Sequence, residues 1–224
     1  MSHNISKHTL KHDEFAEDMM KTANLFKKYS TEILAVLIGA LIIVIGLFFI
    51  SQNRVKTERE ANLMLGSVHA ALFSGDAQQA KQGYEDLIKR YGSSESGKEA
   101  MVYLGNLYFQ SRNIEEAQKQ YQRAVKAKPA SPLIMSAALS GQAACDEQSG
   151  NFAQAGEQYL EVSNLFPKQD YLAVEAMLSA GRCFQAAGND LKAREIYRDI
   201  INKYPDNQGA QKAKAALGML PPVG

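Results

Sequence analysis

The chain has 224 residues with 25 basic and 24 acidic side chains, so its total charge points neither to nucleic acid nor to an acidic substrate. Two cysteines are too few for a disulfide-stapled fold. The chain lacks Trp, holds only 6 Pro and 16 Gly, and is rich in Ala, Gln, Tyr, Lys and Glu, a usage that suits helices and suits sheets poorly.

Residues 1–31 read as a polar, partly amphipathic tail. Phe15, Met19, Ala23 and Phe26 recur at helical spacing, with Asp13, Glu14, Glu17, Asp18, Lys21 and Lys28 on the remaining turns. The pattern fits a short helix along a membrane surface, and equally a tail whose periodicity is chance. His3, His8 and His12 have no partner of defined geometry and read as solvated rather than metal-binding.

Ile33 to Ile50 is an unbroken apolar run without a charge, bounded by Glu32 and by Ser51-Gln52-Asn53-Arg54. At about 1.5 Å per residue it nearly matches the roughly 30 Å hydrocarbon core of a bilayer, where only a helix satisfies its own backbone. Residues 32–52 therefore read as a transmembrane anchor. A cleaved signal peptide fits badly, because a long polar segment precedes the run and no small-x-small site follows Phe48-Phe49. Lys21, Lys27 and Lys28 on one side balance Arg54, Lys56 and Arg59 on the other, so charge leaves the orientation open. Gly39 and Gly46 share a helix face and would let two anchors pack, although glycine is common in such helices anyway. No proline falls between Ile33 and Phe73. The anchor helix is thus expected to run on into the domain that follows and hold it upright near the membrane.

From there, over residues 53–220, the chain repeats itself. Gly75-Asp76 with Ala80 and Tyr84 is followed by Asn113 with Ala117 and Tyr121. Gly150-Asn151 with Ala155 and Tyr159 comes next, then Gly188-Asn189 with Ala193 and Tyr197. The four alanines are spaced by 37, 38 and 38 residues, and Gly92, Pro129, Pro167 or Pro205 lies eight residues beyond each Tyr. The Gly-Asn or Gly-Asp pair makes a tight turn between antiparallel helices A and B. The Ala lets the helices approach, the Tyr one turn later fills the space between them, and the Pro or Gly stops helix B. In helix A, Leu104-Gly105 with Tyr108 is the clearest copy and Ala180-Gly181 with Phe184 matches it. Gln142-Ala143 and Ser67-Val68 are weaker copies. The units lie near 61–92, 98–129, 136–167 and 174–205. Residues 207–218 close the stack as a cap, with Ala210, Ala213, Ala216 and Leu217 inward and Gln211, Lys212 and Lys214 outward.

This arrangement resembles the tetratricopeptide repeat, with a small residue and an aromatic in helix A, Ala and an aromatic in helix B, and Pro at the end. The expected fold is all-α: a single transmembrane helix, then an α-solenoid of about four such hairpins, then the capping helix. Cys145 and Cys183 are one repeat apart, at equivalent A-helix positions. Successive A helices lie roughly 8–10 Å apart, beyond the roughly 7 Å reach of a disulfide, so both are expected as free, buried thiols.

The family's ligand-contacting positions on helix A, carried onto this chain, are Asn62, Leu65, His69, Leu72 and Phe73 in the first unit. The second offers Glu99, Val102, Asn106, Phe109 and Gln110. The third offers Ser140, Glu147 and Gln148, and the fourth offers Glu175, Leu178, Arg182 and Gln185. Leu72, Phe73, Val102 and Phe109 would anchor a partner's side chains, while Asn106, Glu175 and Arg182 would hold backbone or a charged end. Leu72 and Phe73 fit internal packing equally well. The face carries no clamp of several Lys and Arg, so capture of a carboxylate end is not expected. No nucleophile, paired catalytic acid or phosphate-binding loop accompanies His69, so neither enzyme activity nor a cofactor is expected.

A short polar N-terminus, one anchor and a small repeat domain, with Lys27-Lys28-Tyr29 before the anchor and a closing Ala/Lys helix, is similar to the YfgM-like family, the ancillary subunit of the Sec translocon. That resemblance implies a bacterial inner-membrane protein with its N-terminus cytoplasmic and its C-terminal domain periplasmic. It would bind proteins or extended peptides, dock beside translocon subunits and hand emerging chains to periplasmic chaperones, with no role for nucleic acid. The alternatives are a structural or assembly subunit bridging components of a membrane or envelope complex, a cytoplasmic-facing membrane adaptor if the topology is inverted, and a bridging subunit of an energy-converting or secretion complex.

Overall fold

The structure is a computed structural model that describes residues 17–22, 27 and 29–222. Phe15, Ala23 and Phe26 of the expected amphipathic tail lie outside the described residues, as do His3, His8 and His12. Met19 sits in a helical stretch over 17–22 and is exposed. Described residues form helices and turns and no strand.

Nine helices follow one another among the described residues from Ser30 on: α1 Ser30–Phe73, α2 Ala77–Tyr91, α3 Glu95–Gln110, α4 Ile114–Ala127, α5 Pro132–Gln148, α6 Phe152–Leu165, α7 Asp170–Ala186, α8 Asp190–Lys203 and α9 Gln208–Met219. The chain divides into two compact units, Met1–Val55 and Lys56–Gly224. α1 is long and apolar enough to cross a membrane, and none of its most apolar stretch is buried. Its large side chains, from Leu34 to Ile50, stand exposed. Residues 51–61 are helical throughout, so no disordered break follows the apolar run.

In the second unit, α3, α5 and α7 are the A helices that follow the end of α1, and α2, α4, α6 and α8 are the B helices. Glu95, Pro132 and Asp170 begin the A helices about one turn ahead of the expected starts at 98, 136 and 174. For α3 and α5 the reason is capping: Ser94 and Ser131, just before them, accept from the N–H groups of Gly97 and Ile134, whereas Gln169 before α7 makes no such bond. Each A helix packs on its own B helix, each B helix on the next A helix, and α9 on α7 and α8.

Local chemistry explains the turns. Gly75, Gly150 and Gly188 end their A helices at φ of 85°, 85° and 74°, the left-handed region open to glycine. In the second unit the same position is Arg112, at φ 62°. Asp76, Asn113 and Asn189 then cap the B helices by accepting from Gln79, Glu116 and Lys192. Asn151 makes no such bond; its amide donates to Asp146 instead.

Ala80, Ala117, Ala155 and Ala193 are fully buried, and Tyr84, Tyr121, Tyr159 and Tyr197 are at most 5% exposed. The tyrosine rings account for the glycines opposite. A Cβ on Gly105 would come within 2.7 Å of Tyr121, and one on Gly141, in the next A helix, within 2.5 Å of the same ring. The first unit solves the problem in reverse. It has Val68 where Gly105 would be, and Gly83 on the B helix makes room, since a Cβ there would lie 2.6 Å from Val68. The buried side chains form two clusters, one from Ala61 to Cys145 and one from Ala143 to Leu220, which meet in α5.

Carboxylates tie successive units together. Glu58 accepts from the N–H groups of Glu95 (2.7 Å) and Ser96 (2.9 Å) and from Ser96 Oγ (2.6 Å) at the start of α3. One repeat later, Glu95 accepts from the Ala130 N–H at 2.7 Å ahead of α5, and pairs with Lys98. The acid sits where a helix N-terminus presents unpaired N–H groups and a partial positive charge.

Candidate functional site

The A-helix positions divide into three groups. Leu65 and Val102 are 6% and 3% exposed and belong to the first core cluster. Both are core residues and not groove residues, because their side chains pack into that cluster and leave almost no surface to a partner. Leu72 is half-buried and packs on that core, while Phe73 is 93% exposed. Asn62, Gln110 and Gln185 are exposed, as is Gln148.

A second group is held by contacts within the stack. The His69 ring meets Tyr103 edge-on at 4.6 Å and Tyr84 at 6.0 Å, and Tyr84 stacks on Tyr103 at 5.8 Å. Burial, then Tyr103 and the Glu99 carboxylate, push the Tyr84 hydroxyl up to about 12. Burial and Glu99 also raise Tyr103. Asn106 accepts from the Tyr121 hydroxyl at 2.7 Å. Glu175 pairs with Lys212 of α9 at 2.8 Å.

The third group converges. Phe109 of α3, Glu147 of α5 and Arg182 of α7 line one hollow of about 540 Å³, together with Ala144, Gln148, Gly150, Phe152 and Tyr159. Glu147 and Arg182 form an ion pair between two successive A helices, with the Glu147 side chain mostly buried and Arg182 more than half exposed. Phe109 and Phe152 supply aromatic walls. Ala144 and Phe152 had not been read from the sequence as site residues, and Tyr159 had been read only as a core filler. The sequence signal for Ala144 is the row His69, Asn106, Ala144, Arg182, one per unit, in which only Ala144 is apolar; no such signal marks Phe152.

Cys145 and Cys183 are unpaired and buried, at 3% and 0% exposure. Burial, then the Asp146 carboxylate, raise the Cys145 thiol to about 11; burial also raises Cys183 against the lowering pull of Arg182.

Comparison with curated proteins returned no match. Among solved structures, the chain is similar to a tetratricopeptide repeat protein from Parabacteroides merdae, with a TM-score of 0.56 at 15% identity over 71% of this chain; it spans 59% of that structure's length. Weaker likenesses are to YrrB, a TPR protein with an unusual peptide-binding site (TM-score 0.30, 16% identity, 68% of this chain and 90% of that one), and to PilF of Pseudomonas aeruginosa (TM-score 0.28, 15% identity, 70% and 98%). The family model for the tetratricopeptide repeat-like domain matches residues 24–219. With that match over nearly all of its length, and with helical hairpins closed by Gly-Asn turns, buried Ala and buried Tyr, this chain belongs to the tetratricopeptide repeat-like domain family.

Proposed function

We propose that the chain is a membrane-anchored repeat scaffold that binds other proteins through its helix-A face, and that it serves as a translocon-associated adaptor of the chaperone type. Domains of this family generally mediate protein–protein interaction and are generally not catalysts. The observation that carries the reading is the convergence of Phe109, Glu147 and Arg182, from three successive A helices, on one hollow. Such a concave site with aromatic walls and a few placed polar groups is the usual form of a binding site. Asn62, Gln110 and Gln185 extend the exposed helix-A surface around it.

Residues 32–52 are the membrane anchor in this reading. Their uncovered apolar side chains favour hydrocarbon over water by about 25 cal/mol for each Å² removed from water. The periplasmic placement of the repeats, and the translocon subunits and periplasmic chaperones as partners, come from the resemblance to the YfgM-like family. In-cell photo-crosslinking from Phe109, with mass spectrometry of the trapped proteins, tests it. Translocon subunits, periplasmic chaperones or many secreted precursors support the adaptor; a single cytosolic partner refutes it.

A bridging subunit of an envelope complex is the second reading. Leu133, Leu165 and Tyr171 favour it, being exposed apolar residues at the start of α5, the end of α6 and the start of α7, all at the same end of the helical hairpins. A crosslinker at Tyr171 that traps one stoichiometric envelope protein, with none trapped from Phe109, decides for bridging.

A further inference from the structure

We propose that the hollow beside Ala144 is a pocket for one uncharged aromatic side chain of an extended peptide, seated between Phe109 and Phe152 with a peptide carbonyl on the Tyr159 hydroxyl. This deepens the helix-A reading above and rests on it.

The starting point is a break in the repeat. In the second unit the helix-B tyrosine, Tyr121, donates to Asn106 at 2.7 Å. The corresponding A-helix residue is His69 in the first unit, whose ring lies beside Tyr84 although neither His69 Nε2 nor the Tyr84 hydroxyl has a hydrogen-bond partner among the described residues, and Arg182 in the fourth, whose charge acts on Tyr197. In the third unit it is Ala144, whose side chain carries no polar atom. Tyr159 is 5% exposed, and among the described residues neither its hydroxyl nor that of Tyr84 has a hydrogen-bond partner. Ala144 and Tyr159 both line the hollow. Unlike the Tyr84 hydroxyl, which is fully enclosed, the Tyr159 hydroxyl keeps some solvent access, so an acceptor entering the hollow can take its hydrogen bond.

The other walls choose the ligand. Phe109 and Phe152 favour an aromatic ring, which gains stacking or edge-on contacts beyond its buried area. Glu147 and Arg182 already neutralise each other, so a charged side chain would have to break that pair to enter. The hollow, at about 540 Å³, exceeds one side chain and leaves room for flanking backbone, for which the tyrosine hydroxyl is a donor.

The test uses the full chain in lipid nanodiscs and a series of short fluorescein-labelled peptides of Gly, Ser and Asn with one central residue varied: Phe, Leu, Ala, Lys or Glu. Fluorescence anisotropy reads the affinity. Phe should bind at least about tenfold tighter than Ala, with Leu between them and Lys and Glu no tighter than Ala. Ala144→Asn gives Tyr159 the partner that Tyr121 has, fills the hollow, and should erase the preference for Phe without lowering the melting temperature. Tyr159→Phe should weaken the Phe peptide by about three- to tenfold. Phe152→Ala, at an outer wall, should lower the preference independently of either. Equal binding of Phe and Ala, no binding of any peptide, or a Phe preference that survives Ala144→Asn overturns the pocket. If crosslinking from Phe109 still traps partners in that case, only the pocket is wrong; if it traps none, the helix-A reading fails with it.

Discussion

Replacing Glu58 by Gln keeps the side chain's shape and removes its charge. In the protein the carboxylate accepts three hydrogen bonds of 2.6–2.9 Å from Glu95 and Ser96 at the first turn of α3. Burial acts to raise its pKa, but the Ser96 hydroxyl, the Ser96 and Glu95 N–H groups and the Lys98 charge outweigh it and hold the carboxyl below its ordinary 4.5. A lowered folded-state pKa means that the stabilisation is fully present above 4.5 and is lost as pH falls through the folded value. Because Glu58 is partly exposed, Glu58→Gln should cost about 1 kcal/mol and Glu58→Ala about 2 kcal/mol. For a domain of this size each kcal/mol lowers the melting temperature by about 2–4 °C. Circular-dichroism melts of the full chain in detergent should show that gap near neutral pH and show it closing well below pH 4.5. Identical melts at neutral pH, or a gap that stays as wide in acid, would refute the reasoning.

Two glycine substitutions should shift stability in opposite directions under the same melts. Gly105→Ala drives a Cβ to 2.7 Å from the buried Tyr121 ring and should destabilise by about 1–2 kcal/mol, even after the helix gains from Ala. Gly66→Ala, with open space around it in α1, should stabilise by up to about 1 kcal/mol. Arg112→Gly relieves a left-handed backbone at φ 62° and should add about 0.5–1 kcal/mol in urea unfolding, since αL strain in Arg exceeds the entropy of the added glycine. Cys145 and Cys183, buried and with raised thiol pKa values, should resist maleimide at neutral pH and react only as the chain unfolds, as read by intact mass; fast labelling of the folded chain would contradict the packing.

Much of the fold was legible because each unit announces itself locally. The left-handed glycines, the Asn and Asp caps, the Ala that admits a neighbour and the Tyr that fills the gap all act within a few residues, so their period showed directly in the sequence. What was not legible depends on distances of a whole repeat. Leu65 and Val102 occupy family groove positions yet are buried, because they pack into a core cluster shared across units. The swap of Val68 with Gly83 kept the spacing of helices while moving the glycine to the other helix, which a search for matching residues reads as a defective copy. Glu58 and Glu95 are one repeat apart and do the same work, but their partners lie a full unit downstream. In the site, Phe109, Glu147 and Arg182 follow from position within the repeat and Ala144 stands out as the apolar break in its row, whereas Phe152 enters only through the neighbours that surround the hollow.

The two core clusters meet in α5, and the hollow draws its walls from α3, α5, α6 and α7, on both sides of that boundary. In a stack whose stability is close to a sum over neighbours, the boundary is where the sum is most easily divided. A ligand held there touches both halves, so its free energy of binding is also free energy of holding the halves together. Recognition and cohesion then become one thermodynamic quantity. Partner occupancy would make the repeat array unfold as one body where the empty chain has a place to part, and amide exchange in α5 and α6 would slow in proportion to the partner's affinity.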